Sequence, residues 1–231
     1  MLACYSCQRV ADAAVACRHD LLTDIDVNNM QEVFFEPSLA RREALAGFLM
    51  NYLACFTGED AEGSEEKRAH TQLRSLAEVA RILLNTSHGR TDYMTDLLTA
   101  FWSGAPVVYN WQAYSSLLLL DEDEEMPLEE EGQELLVRLM VEAAGYVQSK
   151  LRATDKAKLK PTARAAMERI ADDMTLHLVN VLPRLFTKFQ TSDTAILCLA
   201  RMVPMLRLAN VAKSRSSGAV KGMRAWVGDH P

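Results

Sequence analysis

The sequence predicts an all-α fold, and two features of its apolar residues carry that prediction. The 231 residues include 31 leucines and 30 alanines but only 16 valines and 4 isoleucines, so apolar residues that favour helices dominate. These apolar residues also recur at spacings of three and four, the period of one helix face. Sheets that are buried on both faces need valine and isoleucine in quantity, so β sandwiches, barrels and doubly wound parallel sheets are disfavoured.

Eight or nine amphipathic helices are expected along the chain, and capping residues and prolines set their limits. Asp26 can cap one helix, which must end before Pro37, and Pro161 suits the first turn of another. Pro183 and Pro204 should perturb the helices that contain them. Residues 57–67, with two glycines and five acidic residues, are expected to form a loop. The expected helices cover about residues 5–22, 27–36, 38–56, 71–85, 91–102, 107–120, 129–152, 161–190 and 192–212.

The spacing of these helices indicates a repeat architecture. Helix pairs recur at intervals of about forty residues, the range of HEAT and armadillo repeats. Residues 37–44, with a proline followed by two arginines and small residues, are similar to the turn and second-helix start of a HEAT repeat. We therefore expect residues 1–212 to form a HEAT-like helical solenoid, as a fragment of a longer one, and residues 213–231 to be a flexible tail.

Charge is distributed unevenly along the chain. Residues 1–149 contain 10 basic and 25 acidic residues, whereas residues 150–224 contain 15 basic and 5 acidic residues. Lys156, Lys158 and Lys160 in the basic part are candidate contacts to DNA phosphates. Few aromatic side chains are available there to stack on bases, so any DNA contact should be to the backbone and insensitive to sequence. A solvated basic face is an equally weighted alternative.

One helix carries residues that could contribute to a metal site. Asp172, Asp173 and His177 share this helix, and the last two are one turn apart. A metal ion would need further ligands, and no partner cluster is evident. An exposed ion pair is therefore the favoured interpretation.

A second metal candidate lies near the amino terminus. Cys4, Cys7, Cys17 and His19 are residue types that bind zinc. Because the residues between them are expected to form continuous helix, the four side chains would be spread over more than two turns. Thiols in a helix are the favoured interpretation, and the odd number of cysteines agrees with it.

Other classes of function leave no signature in the sequence. No apolar run approaches the roughly eighteen residues that cross a bilayer. Phosphate-binding, dinucleotide-binding, zinc-protease and serine-hydrolase motifs are all missing. We therefore expect a binding or scaffold protein without enzymatic activity, cofactor, bound metal, small-molecule substrate or membrane contact.

Residues 93–120 carry the most specific pattern. Its parts are Tyr93-Met94-Thr95-Asp96-Leu97-Leu98, Trp102, Gly104-Ala105-Pro106, Asn110-Trp111-Gln112-Ala113-Tyr114 and Leu117 to Leu120, followed by acidic residues. In order and chemistry this pattern resembles the cohesin subunit SA/STAG (stromalin) family, which has Tyr-Leu-Val-Asp, Trp, a small residue, Pro, Asp-Trp-Glu and Leu-Leu-Leu-Glu-Glu. Flanking segments extend the resemblance over about residues 11–210.

The resemblance implies a hook-shaped HEAT solenoid that binds the kleisin subunit of cohesin. Such a protein helps to place the cohesin ring on chromatin in the nucleus, for sister-chromatid cohesion and chromosome segregation. Family members are far longer, so the chain should correspond to a central fragment. Arg41, Arg42 and Tyr109 are candidate partner-binding residues because they are expected at repeat turns and arginine and tyrosine are common interface anchors. Trp111 is expected in the core.

Two alternatives differ from this interpretation. The first is a generic HEAT or armadillo adaptor outside cohesin, such as a transport or phosphatase scaffold, which would ignore a kleisin fragment. The second is a metal-dependent helical enzyme that uses Asp172, Asp173 and His177, which would contain stoichiometric metal.

Overall fold

Every regular element that the structure describes is a helix. The computed structural model describes residues 38–56, 64–86, 93–102, 104–120, 128–152 and 160–208. The chain divides into two compact units, Met1–Val108 and Tyr109–Pro231. The prediction of an all-α fold is confirmed for the described residues.

The first unit contains three described helices, α1 (Leu39–Phe56), α2 (Glu65–Thr86) and α3 (Tyr93–Phe101). Each of these helices packs against the other two. Apolar side chains removed from water between them provide the main stabilisation. The large side chains that are almost fully buried include Leu73, Leu76, Leu83, Tyr93, Leu97 and Phe101.

Helix α2 begins six residues earlier than the sequence pattern predicts. The Ser64 hydroxyl accepts a hydrogen bond from the backbone N–H of Lys67, with 3.3 Å between the two atoms, and so caps the helix. Glu65 and Glu66 stand in the first turn, where carboxylates interact favourably with the helix dipole. The prediction of a loop reaching residue 67 is therefore wrong, because the last acidic residues stabilise a helix start.

The second unit contains four described helices, α4 (Trp111–Leu119), α5 (Glu130–Leu151), α6 (Pro161–Lys188) and α7 (Asp193–Met202). Helices α4, α5 and α6 pack against one another, and α7 packs mainly on α5. Their shared core is apolar and almost fully removed from solvent. It includes Tyr114, Leu118, Leu136, Met140, Leu178, Leu182 and Leu199.

A break at Asn110 divides the segment that was expected to be one helix from residue 107. A 3₁₀ turn, Pro106–Tyr109, precedes Asn110, and α4 starts after it. The Asn110 carboxamide oxygen accepts a hydrogen bond from the backbone N–H of Ala113 at 3.0 Å. This local bond caps α4 and ends the preceding turn, so the prediction of a continuous helix is wrong.

The chain after α7 is anchored to the rest of the unit. Pro204 cannot donate a backbone hydrogen bond, so α7 ends at Met202 and a 3₁₀ turn, Val203–Met205, follows. Gln148 Nε2 donates to the Met205 carbonyl at 2.8 Å, and the backbone N–H of Arg207 donates to Thr175 Oγ1 at 3.1 Å. These bonds fix the exit of the chain against α5 and α6.

Some predictions fall on residues outside the described ranges. These are the helices at residues 5–22 and 27–36, the tail from residue 213, and the possible zinc ligands Cys4, Cys7, Cys17 and His19. None of the described helices combines the length and apolar character needed to cross a membrane.

Candidate partner-binding surface

The adjacent arginines at the start of α1 have different environments. Arg41 is exposed. The Arg42 side chain is only 12 % exposed, and its Nη1 donates a hydrogen bond to Asp96 Oδ1 on α3, whose side chain is 24 % exposed. Arg42 therefore holds α1 to α3, whereas Arg41 is an exposed residue in the first turn of α1.

Arg42 is also constrained by burial of its own polar atoms. Its Nε is buried and has no hydrogen-bond partner among the described residues. A guanidinium in this position depends on its carboxylate partner, because a buried charge without one is costly. Substituting Arg42 would therefore disturb the packing of α1 as well as any contact with a partner. Arg41 is exposed, so its substitution tests partner binding more directly.

Tyr109 is the third predicted partner-binding residue. It ends the 3₁₀ turn Pro106–Tyr109 and is half-buried. It belongs to the second unit, whereas Arg41 and Arg42 belong to the first. A binding role for these three residues stays a prediction.

Trp111 occupies the first turn of α4 and is 4 % exposed. Its ring stacks on that of Tyr114, with 6.4 Å between centroids and 24° between planes. Burial raises the pKa of Tyr114, so its hydroxyl stays protonated at physiological pH. The prediction that Trp111 belongs to the core is confirmed.

The amino-terminal end of α6 concentrates positive charge. Lys160 is exposed at its N-cap position and provides no side-chain cap. The first turn contains no acidic residue, so the positive end of the helix dipole is not offset there. Arg164 follows and pairs with Glu168 at 3.0 Å. Lys156 and Lys158, the other predicted DNA-phosphate contacts, lie outside the described residues.

A polar contact connects α4 to α6. Ser115 Oγ lies 2.6 Å from His177 Nε2 and 3.0 Å from the Gln112 carbonyl oxygen. The carbonyl oxygen can only accept, whereas the tautomer of His177 sets the direction of the shorter hydrogen bond. Burial lowers the pKa of His177. The sequence pattern gave no signal for this contact, since 62 residues separate its partners.

The possible metal ligands on α6 are engaged in other contacts. Asp172 Oδ1 accepts a hydrogen bond from Arg207 Nη1 at 3.0 Å, while His177 bonds to Ser115. Asp172 is therefore ion-paired with a cation from beyond α7 rather than with His177 on the same helix. Within the described ranges no group of three or more His, Cys, Asp or Glu side chains is placed to hold a metal ion.

The half-buried position of His177 predicts a pH-dependent stability. Because the folded-state pKa lies below the ordinary value of about 6.5, the unfolded chain binds the proton more tightly. This contribution to stability is fully present above about pH 6.5 and is lost as the pH falls through the folded-state pKa. We expect the urea midpoint to be lower at about pH 5 than at about pH 7.5, and His177→Gln to reduce that difference. Equal pH sensitivity of the two proteins would contradict this role.

Comparison with known proteins identifies the family. A family model described as cohesin subunit SCC3/SA, HEAT-repeats domain, matches residues 97–226, more than half of the chain. No curated protein and no solved structure gives a match. The matched range contains α4 to α7, so it confirms both the resemblance drawn from residues 93–120 and the predicted HEAT-type fold. The chain therefore belongs to the cohesin subunit SCC3/SA family and is a helical scaffold of the type found in cohesin.

Proposed function

We propose that the chain is a non-enzymatic scaffold of cohesin that binds the kleisin subunit and acts at nuclear chromatin in sister-chromatid cohesion. The observation that carries this proposal is the family match across the helices of the second unit. It favours a role in cohesin over a generic adaptor of transport or phosphatase complexes. The helices bury their apolar faces against one another and leave their outer faces to contact another polypeptide.

The described ionisable groups support binding rather than catalysis. Asp96, Asp172 and His177 each hold one helix or segment against another. The Cys198 thiol is half-exposed, and burial raises its pKa, which makes it a poor nucleophile at neutral pH. These groups therefore act in the fold, and the scaffold has no described set of acid, base and nucleophile.

Arg41 is the residue we assign to kleisin contact in the first unit. Arg41 is an exposed residue at the start of α1, and arginine is among the residues that most often dominate interface energies. Arg42, next to it, fixes the first turn of α1 through Asp96. The backbone that presents Arg41 is thus held in place before a partner binds, which reduces the entropy lost on binding.

The test is binding of the full chain to the purified kleisin subunit, measured by titration calorimetry. We expect a complex that Arg41→Ala weakens by about tenfold or more. Arg81→Ala is the matched control, since Arg81 is an exposed arginine on α2 that pairs with Glu78, and its effect should stay below about twofold. Failure of the unaltered chain to bind at about 100 µM would refute the proposed function, whereas unchanged affinity of Arg41→Ala would refute only the role of Arg41.

A second activity, contact with the DNA backbone, is favoured by the positive end of α6. Lys160 and the uncompensated helix start lie together, and Lys156 and Lys158 precede them in the sequence. We expect a gel shift of duplex DNA at low salt that does not depend on sequence. Replacing Lys156, Lys158 and Lys160 with glutamine should reduce the slope of log affinity against log salt by about two to three. No complex at low salt would refute this activity.

A further inference from the structure

Residues 203–207, which we name the strap, run from the end of α7 across α5 and α6. They begin as the 3₁₀ turn Val203–Met205. Leu206 follows with an extended backbone, at φ −76° and ψ 134°. Its side chain is 8 % exposed, so the strap packs against the unit rather than projecting into water.

The two helices hold the backbone of the strap through side chains. Gln148 Nε2 on α5 donates a hydrogen bond to the Met205 carbonyl oxygen at 2.8 Å. Thr175 Oγ1 on α6 accepts a hydrogen bond from the backbone N–H of Arg207 at 3.1 Å and donates its own hydrogen to the Ala171 carbonyl oxygen at 2.8 Å. The Thr175 side chain is buried, and its hydroxyl is oriented to receive an N–H. Every residue except proline provides such an N–H.

The same surface also selects side chains. A Cβ added to Gly145 would lie 3.8 Å from Met205 Cε, so the Met205 side chain lies where α5 has no side chain of its own. On α6, Asp172 Oδ1 accepts a hydrogen bond from Arg207 Nη1 at 3.0 Å. An apolar residue and a cation, two positions apart, therefore fit this surface. We name it the strap groove, and it is formed by Gly145, Gln148, Asp172 and Thr175.

The strap groove combines the two elements of peptide recognition. In peptide-binding sites, hydrogen bonds to the main chain provide affinity, and pockets for particular side chains provide specificity. The strap groove meets both requirements with the three consecutive residues 205–207. A segment of another protein that has two apolar residues followed by arginine offers the same groups.

The strap is held by few contacts that are shielded from water. The side chains of Arg207 and Asp172 are 35 % and 43 % exposed, so their ion pair contributes little stability. Pro204 is exposed and Met205 is half-buried, whereas Leu206 is buried. Segments with few buried apolar contacts open at a low cost in free energy. A competing segment can therefore displace the strap without unfolding the helices beneath it.

We propose that the strap groove is a binding site for a segment of a partner protein that carries two apolar residues followed by arginine, and that the strap is its autoinhibitory occupant. Because the strap is tethered, it competes at an effective concentration of about 1 mM. The partner segment binds tightly only when the strap is displaced. This site goes beyond the proposed function and does not depend on the contact between Arg41 and kleisin.

The test measures binding of a fluorescent peptide with the sequence of residues 203–208 to the full chain, by fluorescence anisotropy. In the chain, Leu206→Asp should release the strap, because the strap could stay in place only by burying a carboxylate. We expect this variant to bind the peptide with a Kd of about 100 µM, and the unaltered chain to bind it at least about tenfold more weakly. Arg207→Glu is a milder variant that weakens the strap by repulsion from Asp172, and it should bind the peptide as well.

Matched substitutions on α6 locate the bound peptide. In the Leu206→Asp chain, Asp172→Lys should weaken binding by about tenfold or more, whereas Asp173→Lys, which alters an exposed neighbouring carboxylate, should change it by less than about twofold. A peptide with glutamate in place of its arginine should show the reverse preference and bind best to the Asp172→Lys chain.

Three results would overturn the proposal. The first is that neither Leu206→Asp nor Arg207→Glu binds the peptide at about 1 mM. The second is that Asp172→Lys and Asp173→Lys have equal effects, because the peptide would then lie outside the strap groove. The third is a dimer of the unaltered chain that the peptide dissociates, because the occupant of the groove would then be the strap of a second copy.

Discussion

Replacing Trp111 with alanine is expected to lower the free energy of unfolding by about 3–5 kcal/mol. The indole is 4 % exposed and stacks on Tyr114, so alanine would leave a cavity in the core of the second unit. Chemical unfolding in urea, followed by far-ultraviolet circular dichroism, measures this change. The urea concentration at the midpoint should fall, while the dependence of the unfolding free energy on urea concentration stays the same.

Two further variants separate core packing from other effects at this position. Trp111→Phe should cost less than half as much, since it keeps most of the buried volume and removes an indole N–H that has no hydrogen-bond partner among the described residues. Trp102 is only half-buried, and Trp102→Ala should cost about 1–2 kcal/mol. If Trp111→Ala cost no more than Trp102→Ala, the packing role of Trp111 would be refuted.

Replacing Asp96 with alanine is expected to cost about 2–3 kcal/mol, the second largest effect. The change removes the carboxylate that accepts the hydrogen bond of Arg42 and leaves a guanidinium that is only 12 % exposed without its counter-ion. Helices α1 and α3 would then lose a charged contact at a point where their side chains are mostly shielded from water. The urea concentration at the unfolding midpoint measures this loss of stability as well.

An exposed ion pair in the same unit serves as control. Arg81 and Glu78 lie one turn apart on α2, with side chains 46 % and 41 % exposed, and Glu78→Ala should cost at most about 0.5 kcal/mol. Combining Arg42→Met with Asp96→Leu should recover much of the stability lost by Asp96→Ala, because two apolar side chains leave no buried charge. A double variant no more stable than Asp96→Ala would show that packing of other atoms, rather than the lost counter-ion, sets the cost.

The two predictions also bear on the proposed partner contacts. Trp111 is part of the pattern that resembles the SA/STAG family, and its burial indicates that this pattern reflects packing. The same is true of Asp96, which pairs with Arg42. Arg41 is exposed, so it remains the candidate for a partner contact among the predicted residues of the first unit.

Several features of this protein could be predicted from local sequence alone. The dominance of leucine and alanine and the spacing of apolar residues predict the all-α fold, and they place the helices at residues 38–56 and 130–151 to within a residue or two. These signals are local, because amphipathic periodicity depends on neighbours three and four residues away. The family resemblance was equally readable, since it rests on the order of residues 93–120.

Local capping and the long-range polar contacts were decided by the structure. Asn110 divides one expected helix, and Ser64 begins another helix earlier than expected. In both cases the side chain accepts a hydrogen bond from a backbone N–H, and the spacing of apolar residues does not indicate where such a cap lies. The Arg42–Asp96 and Ser115–His177 contacts join residues that lie 54 and 62 positions apart. The sequence therefore determined which faces of the helices are apolar, while only the packing of those helices decided which polar side chains meet, because that depends on how the helices are placed in three dimensions.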